Sequence, residues 1–288
     1  SAFQEVMKLL NRDGSHKPDA FAHRIVHGGS KFTEPIKLNK KMFGELEEIQ
    51  DLAPLHNPPA IKLARACENR NPEIPQIAVF DTAFHSTIPE KARTYALPKW
   101  VRKDLGIQKY GFHGISHEYV SKKCAEILDI PYEQFSGISC HLGTGGASLC
   151  AVQNGKSINN TMGYSPLQGL VMSTRCGDTD PALVLRLVAD HMGDPDAVEK
   201  LLNKNSGVLG LSESSSDIRD ILSQYGRKNG EKGKMSFPEK VYLWRLRKYI
   251  GSYLAIVQNP QALIFTDTVG VNMPSVRDSA CANLENMG

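Results

Sequence analysis

Residues 137–152, GISCHLGTGGASLCAV, decide how this chain is read. Two short apolar runs, Gly137 to Cys140 and Leu149 to Val152, flank the segment HLGTGGAS of residues 141–148, and this pattern predicts two strands joined by a tight turn. Side chains as small as those of Gly143, Thr144, Gly145 and Gly146 let the backbone approach an anion, so that successive amide hydrogens converge on phosphate oxygens. His141 opens the same segment. A Gly-rich hairpin alone is the commoner, ligand-free feature; other motifs along the chain shift the balance.

Those motifs are HRIVHGG from His23, PLHNPP from Pro54, FDTAFH from Phe80, YGFHGISH from Tyr110 and VMSTRCGDTDP from Val171. Each sets Arg, His or Asp beside Gly, Pro or Thr at the end of an apolar run, where loops carry chemistry on a rigid scaffold.

Composition bounds the rest. With 288 residues and 41% hydrophobic content the chain buries a sizeable core and has room for two domains. The net charge of +3, from 34 basic and 31 acidic residues, is too small to imply a nucleic-acid partner. Six cysteines, at 67, 124, 140, 150, 176 and 281, show no Cys-x-x-Cys pair, which argues against a structural zinc site and fits reduced thiols in the cytoplasm. No apolar run reaches the roughly 18 residues that span a bilayer, so no membrane partner is expected.

The strand expectations are Ala22 to Val26, Gln76 to Phe80, Gly137 to Cys140, Leu149 to Val152 and Ala262 to Thr266. Helical spacing predicts helices over Lys41 to Leu52, His117 to Leu128, Pro181 to His191, Ser215 to Tyr225, Pro238 to Val257 and Pro274 to Met287, and GRKNGEKGK at 226–234 reads as a solvated loop. The alternation indicates an α/β architecture. Asp81 to Pro98, with few periodic apolar positions, is the candidate crossing between domains.

Together with NSGVLGLSESSSDIRD at 205–220, these motifs resemble the acetate kinase family of the acetate and sugar kinase superfamily, from about His23 to Arg277 and in the family's order. The resemblance implies a two-domain actin-like, ribonuclease H-like α/β fold. It places an incomplete N-terminal domain at residues 1–83 and a C-terminal domain at 84–288. It also implies reversible phosphoryl transfer between acetate and acetyl phosphate, a magnesium ion and a homodimer. Phosphoryl transfer spreads negative charge over equatorial oxygens, so catalysis by positioning and cationic donors is expected. By resemblance, Arg24, Asp81, His113 and Arg175 are the catalytic candidates. Arg24, Val26, Leu55, His56, Phe112 and Pro166 would surround acetate. His141, Gly143, Thr144, Gly145, Gly146, Asp217, Arg219, Thr268, Gly270 and Asn272 would face the phosphates and nucleotide. His56, His117 and His141 also fit a structural reading.

Two departures stand out. The Asn-x-Gly-Ser-Ser-Ser-x-Lys loop with which family members open does not precede Arg24, and the late glutamate that holds the metal does not follow, so the chain looks truncated at both ends. Alone it is expected to bind metal and nucleotide poorly and to turn over little. It is also expected to expose sheet edges left without partners. The second departure is the turn Asp267 to Asn272, DTVGVN, where the family has a Gly-Gly-Ile-Gly-Glu-Asn type turn against adenosine. Thr268 and Val269 add β-branched bulk there, similar to a diphosphate-linked subgroup in protists. The phosphoryl donor is therefore open between diphosphate and ATP, with diphosphate favoured. The alternatives are a propionate or butyrate kinase, or an inactive kinase-like module that only binds.

Overall fold

Phe21–Ile25 (β1) runs parallel to Gln76–Phe80 (β3), and Ile36–Lys37 (β2) pairs antiparallel on the far side of β3. The computed structural model to which these strands belong describes residues 5, 8, 18–221 and 235–287. It divides between Ala83 and Phe84 into two compact units.

In the first unit the pleat of β1 buries His23 and Ile25 and turns Ala22 and Arg24 outward, as period-two alternation requires. Ile25, Ala78 and Phe80 meet Phe43 and Leu46 of the helix Lys40–Glu48 and Ile61 and Ala64 of the helix Asn57–Arg70. Full burial of a side chain such as Phe43 is worth about 1.5–3 kcal/mol, so this small sheet holds its helices chiefly through such contacts. Asn39 caps the first helix by accepting from the Met42 amide at 3.0 Å.

The second unit is built on a four-stranded sheet in the order β6-β5-β4-β7. Gly137–Leu142 (β4) pairs antiparallel with Ala147–Gln153 (β5) and parallel with Ala262–Thr266 (β7), while Lys156–Asn160 (β6) lies on the other side of β5. Nearly every residue of β4 and β5 is buried, which is why both read as continuous runs of apolar and small residues. The helix Gly114–Ile127 packs on β4 and β7, and the helix Phe237–Leu254 packs on β4 and β5. Ser236 and Glu239 form a reciprocal capping box at the start of the latter.

All five expected strands are present, two with the expected ends and three displaced or extended by one or two residues. The strands β2 and β6 and the helices Asn57–Arg70, Pro195–Lys204 and Gly207–Ser212 were not expected. Four expectations need correction, the first being that the helix expected over Lys41 to Leu52 spans Lys40–Glu48 and is followed by a separate turn at Gln50–Leu52. Residues 267–272 form a short helix rather than an open turn. The helix begun at Pro181 gives way at Val188 to a π-turn. The helix begun at Pro274 stops at Cys281, with a separate turn at Leu284–Met287. The loop expected at 226–234, and the part of the expected helix at 215–225 beyond Ile221, lie outside the described residues.

Candidate active site

In the second unit the site grows from two left-handed residues. Gly111 has φ +78°, and a Cβ there would press to 2.9 Å from the His85 ring and from Asn160, so glycine is required. His113, with φ +59°, adopts the same region and caps the helix Gly114–Ile127. A non-glycine residue held in this conformation marks a position that the surroundings determine. His85 supplies part of that determination: its Nε2–H donates to the Phe112 carbonyl at 2.9 Å while Nδ1 meets Ser157 Oγ at 2.8 Å. Burial drives the His85 imidazole down to about 4, so it stays neutral.

Four histidines cluster here. The His113 and His141 ring centroids are 4.2 Å apart, those of His117 and His141 6.0 Å, and those of His85 and His117 5.8 Å. Serine hydroxyls link them. His117 Nδ1 meets Ser139 Oγ at 2.9 Å and its Nε2 meets Ser148 Oγ at 2.8 Å, while the same Ser148 Oγ meets His113 Nδ1 at 2.8 Å. His141 is held between Ser116 Oγ at 2.9 Å and Asp267 Oδ2 at 2.9 Å.

The glycine segment forms the turn between β4 and β5, closed by the Gly143 amide donating to the Gly146 carbonyl at 3.0 Å. His141 and Leu142 belong to β4, and Ala147 and Ser148 to β5. A Cβ added to Gly146 would stand 3.4 Å from both Arg175 Nη1 and His113 Nε2, so hairpin, guanidinium and imidazole meet at one point. Arg175 rides on a loop pinned by backbone bonds from Ser206 to Thr174, from Cys176 to Leu202 and from Met172 to Arg175 itself. Its Nη1 donates to the Pro166 carbonyl at 3.4 Å, and no carboxylate among the described residues pairs with it. Partial burial lowers its proton affinity, yet a guanidinium remains charged. A half-buried guanidinium beside a glycine hairpin has the chemistry to attract an anion.

Asp267 was not singled out by the sequence reading. It follows β7 with φ +65°, and its carboxylate lies where a Cβ on Gly143 would be only 2.6 Å from Oδ2. Burial works against its ionisation, but the Thr268 hydroxyl and amide, with His141, hold it below the ordinary carboxylate range. Thr268 thus packs onto Asp267, Gly270 is buried in the short helix, and Asn272 is exposed at its end. Thr144 is half-buried and Gly145 exposed at the hairpin tip. Asp217 and Arg219 pair with each other, Nε reaching both carboxylate oxygens at 3.0 Å. Phe112 is 1% exposed, a core side chain rather than an accessible pocket wall. Pro166 is half-buried and contributes its carbonyl to Arg175.

The first unit carries the other candidates. Arg24 points outward from β1 and clamps Asp81, at the carboxyl end of β3, through Nε and Nη2. The Asp81 side chain is 3% exposed and that of Arg24 60%, so the carboxylate is fixed while the guanidinium presents its remaining donors to solvent. Asp81 raises the proton affinity of Arg24 through this bond, against a smaller opposing effect of burial. The HGG loop beyond is stapled by the Asn57 side chain to the His27 backbone and by the Gly28 amide to Thr82 Oγ1 at 3.0 Å. Val26 is half-buried. Leu55, 66% exposed, and His56, also exposed, stand at the start of the helix Asn57–Arg70.

The residues that sequence reasoning left without a role are His85, Ser139, Ser148, Ser157 and Asp267. A signal existed for two of them, since a serine inside GISCHL and another inside ASLCAV are polar interruptions of buried strands, and buried hydroxyls need partners.

Comparison with known proteins identifies the family and the fold. The acetokinase family model matches residues 2–288. The acetate kinase of Dictyoglomus thermophilum is 45% identical over 294 residues, covering all of this chain and 72% of that protein. The crystal structure of Porphyromonas gingivalis acetate kinase superposes with a TM-score of 0.91 at 38% identity, covering 100% of this chain and 72% of the other. A propionate kinase from Francisella tularensis superposes with a TM-score of 0.91 at 37% identity, covering 100% and 73%. With a matching model along nearly its whole length and relatives this similar, the chain belongs to the acetokinase family.

Proposed function

We propose that this chain performs the acetate kinase reaction, the reversible transfer of a phosphoryl group between acetate and acetyl phosphate. The observation that carries the reading is Arg175, a cation with which no carboxylate among the described residues pairs, at the point where the Gly146 backbone and His113 Nε2 meet. Three donors of different kinds around one small space suit a group whose charge is spread over several oxygens. In this reading Arg175 and His113 hold the migrating group, the hairpin 143–146 and His141 cradle the phosphates of the second substrate, and Arg24, fixed by Asp81, binds the carboxylate. By resemblance, Val26, Leu55 and His56 are the acyl-side candidates of the first unit and Pro166 that of the second, while Asp217, Arg219, Gly270 and Asn272 are candidates for the nucleotide side.

A divalent cation, magnesium by resemblance, belongs to the same chemistry. Among the described residues no three His, Cys, Asp or Glu side chains are grouped to hold one, and Asp81 is engaged by Arg24. No helix of the described residues is long and apolar enough to cross a membrane. The free thiols support a cytoplasmic enzyme, and a homodimer is the assembly the resemblance implies.

For the phosphoryl donor we propose the ATP/ADP pair, supported by the intact Asp217–Arg219 pair and by 45% identity to a bacterial acetate kinase. One observation favours diphosphate instead: Asp267 and Thr268 fill the start of the short helix after β7, where the family motif has two glycines. Hydroxamate detection of acetyl phosphate, on protein from the intact reading frame, tests both levels. Acetate-dependent product with ATP supports the proposal, product with diphosphate alone reverses the donor assignment, and product with neither removes the function. Propionate measured in parallel separates the two acyl acceptors represented among the structural neighbours.

A further inference from the structure

The serine–histidine run has a direction, and the direction can be read from its hydrogen count. His117 is fully buried, and desolvation together with His85, His141 and His113 holds it neutral, so it carries one N–H. Each serine hydroxyl likewise has one hydrogen to donate. The contacts Ser139 Oγ to His117 Nδ1, His117 Nε2 to Ser148 Oγ and Ser148 Oγ to His113 Nδ1 therefore admit two consistent arrangements when His113 is also neutral. In one, all donors point toward His113. In the other they all point away, His113 Nδ1–H donating to Ser148 and His117 Nδ1–H to Ser139.

The far end of the run distinguishes them. Ser139 is wholly buried in β4, and His117 is the only partner of its hydroxyl among the described residues. If the donors pointed away from His113, Ser139 would accept from His117 and its own hydrogen would face no acceptor, an expensive state in a dry interior. With the donors pointing the other way every hydrogen is placed: Ser139 O–H to His117 Nδ1, His117 Nε2–H to Ser148 Oγ, Ser148 O–H to His113 Nδ1.

We propose that Ser139, His117 and Ser148 are positioning residues that lock His113 as the neutral Nε2–H tautomer, so that it presents a hydrogen-bond donor toward the Gly146 hairpin and Arg175. A second positive charge beside Arg175 is then unnecessary, and the donor exists before any anion arrives. This rests on the reading of His113 as a phosphoryl-binding group, yet the tautomer is measurable whether or not turnover is observed.

The experiment is long-range proton–nitrogen correlation of histidine-labelled protein from the intact reading frame near pH 7.5, with His113 and His117 assigned by single His→Gln variants. Neutral Nε2–H forms at both rings are expected. His113 as the Nδ1–H form or as a cation overturns the proposal. The second measurement uses Ser139→Ala, which touches neither His113 nor the hairpin. Removing the distant donor frees His117 to exchange tautomers, so His113 is expected to change from one tautomer to a mixture. An unchanged His113 spectrum in a folded Ser139→Ala protein also overturns the relay. Ser148→Ala gives the same readout one link nearer, should the Ser139 variant not fold.

Discussion

Arg175 shows how much of a site lives in one unbalanced charge. A half-buried guanidinium with no carboxylate partner among the described residues is poorly solvated, so an arriving anion would gain what the fold left unsatisfied. Arg175→Ala is therefore expected to lower acetate kinase turnover by about 10²–10³-fold, the usual loss on deleting one transition-state donor, while leaving the melting temperature unchanged or raised. Arg175→Lys should restore little, because a point charge does not reproduce the fork. Hydroxamate kinetics beside thermal melts separate the two effects, and a large drop in melting temperature would reassign Arg175 to structure. Gly146→Ala makes the complementary case. Its Cβ would meet Arg175 and His113 at an ordinary 3.4 Å, so stability should shift by less than about 1 kcal/mol. Turnover should nevertheless fall at least tenfold, since a methyl group then occupies the anion's approach. At this scale the sequence showed Arg24, Asp81, His113 and Arg175 through their motifs. It did not show Ser139, Ser148 or Asp267, whose roles come from pairings 22 to 126 positions apart along the chain: 139–117, 148–117 and 267–141.

Elements position these groups through glycines that no other residue replaces. The loop that carries Arg175 ends at Gly177, φ +71°, where a Cβ would collide with the Leu170 and Gly169 carbonyl oxygens. It is backed by Gly207, φ +61°, where a Cβ would press on the Met172 and Arg175 backbone. Gly177→Ala combines a left-handed penalty of about 1–2 kcal/mol with that collision, so a total loss above about 2 kcal/mol is expected. Gly145→Ala at the hairpin tip, with nothing within 4 Å of its Cβ, is the neutral control. Urea midpoints of the two variants make the comparison; equal midpoints would mean the Arg175 loop is looser than drawn. The strands were legible because apolar runs bounded by turn residues are short-range signals. The helix Asp267–Asn272 was not, because TDTVGVN carries a glycine and four β-branched residues of low helix propensity. Tertiary packing of Val269 and Gly270, both buried, overrides that propensity. β2 escaped for a different reason: two residues make no periodicity, and only pairing with β3 defines it.

Across the whole molecule the buried histidines couple the fold to pH. His85 titrates near 4 in the folded chain against about 6.5 unfolded, so between those values the unfolded state binds a proton that the folded state refuses. Stability accordingly rises with pH through that window and is lost as pH falls through it; a shift of this size is worth on the order of 3 kcal/mol once pH reaches 4. His117, lowered in the same direction by burial and its neighbouring rings, adds to the slope. Lys109 acts in a separate window. Burial lowers it to about 8 while its ammonium donates to the Asn160 and Met162 carbonyls, so stability gains again as pH rises from about 8 toward its ordinary 10.5. The formal net charge of +3 reveals none of this, because it sums 34 basic and 31 acidic side chains without regard to burial, whereas the slope comes from two buried imidazoles. Urea unfolding followed at pH 7.5, 6.5, 5.5 and 4.5 is expected to show midpoints falling steadily below 6.5. His85→Gln, which retains a donor for the Phe112 carbonyl but no titratable ring, should start less stable at pH 7.5 and flatten the slope. A wild-type midpoint constant from pH 7.5 to 4.5, or a His85→Gln slope parallel to it, would remove His85 as the source of the acid sensitivity and with it the claim that burial keeps this ring neutral.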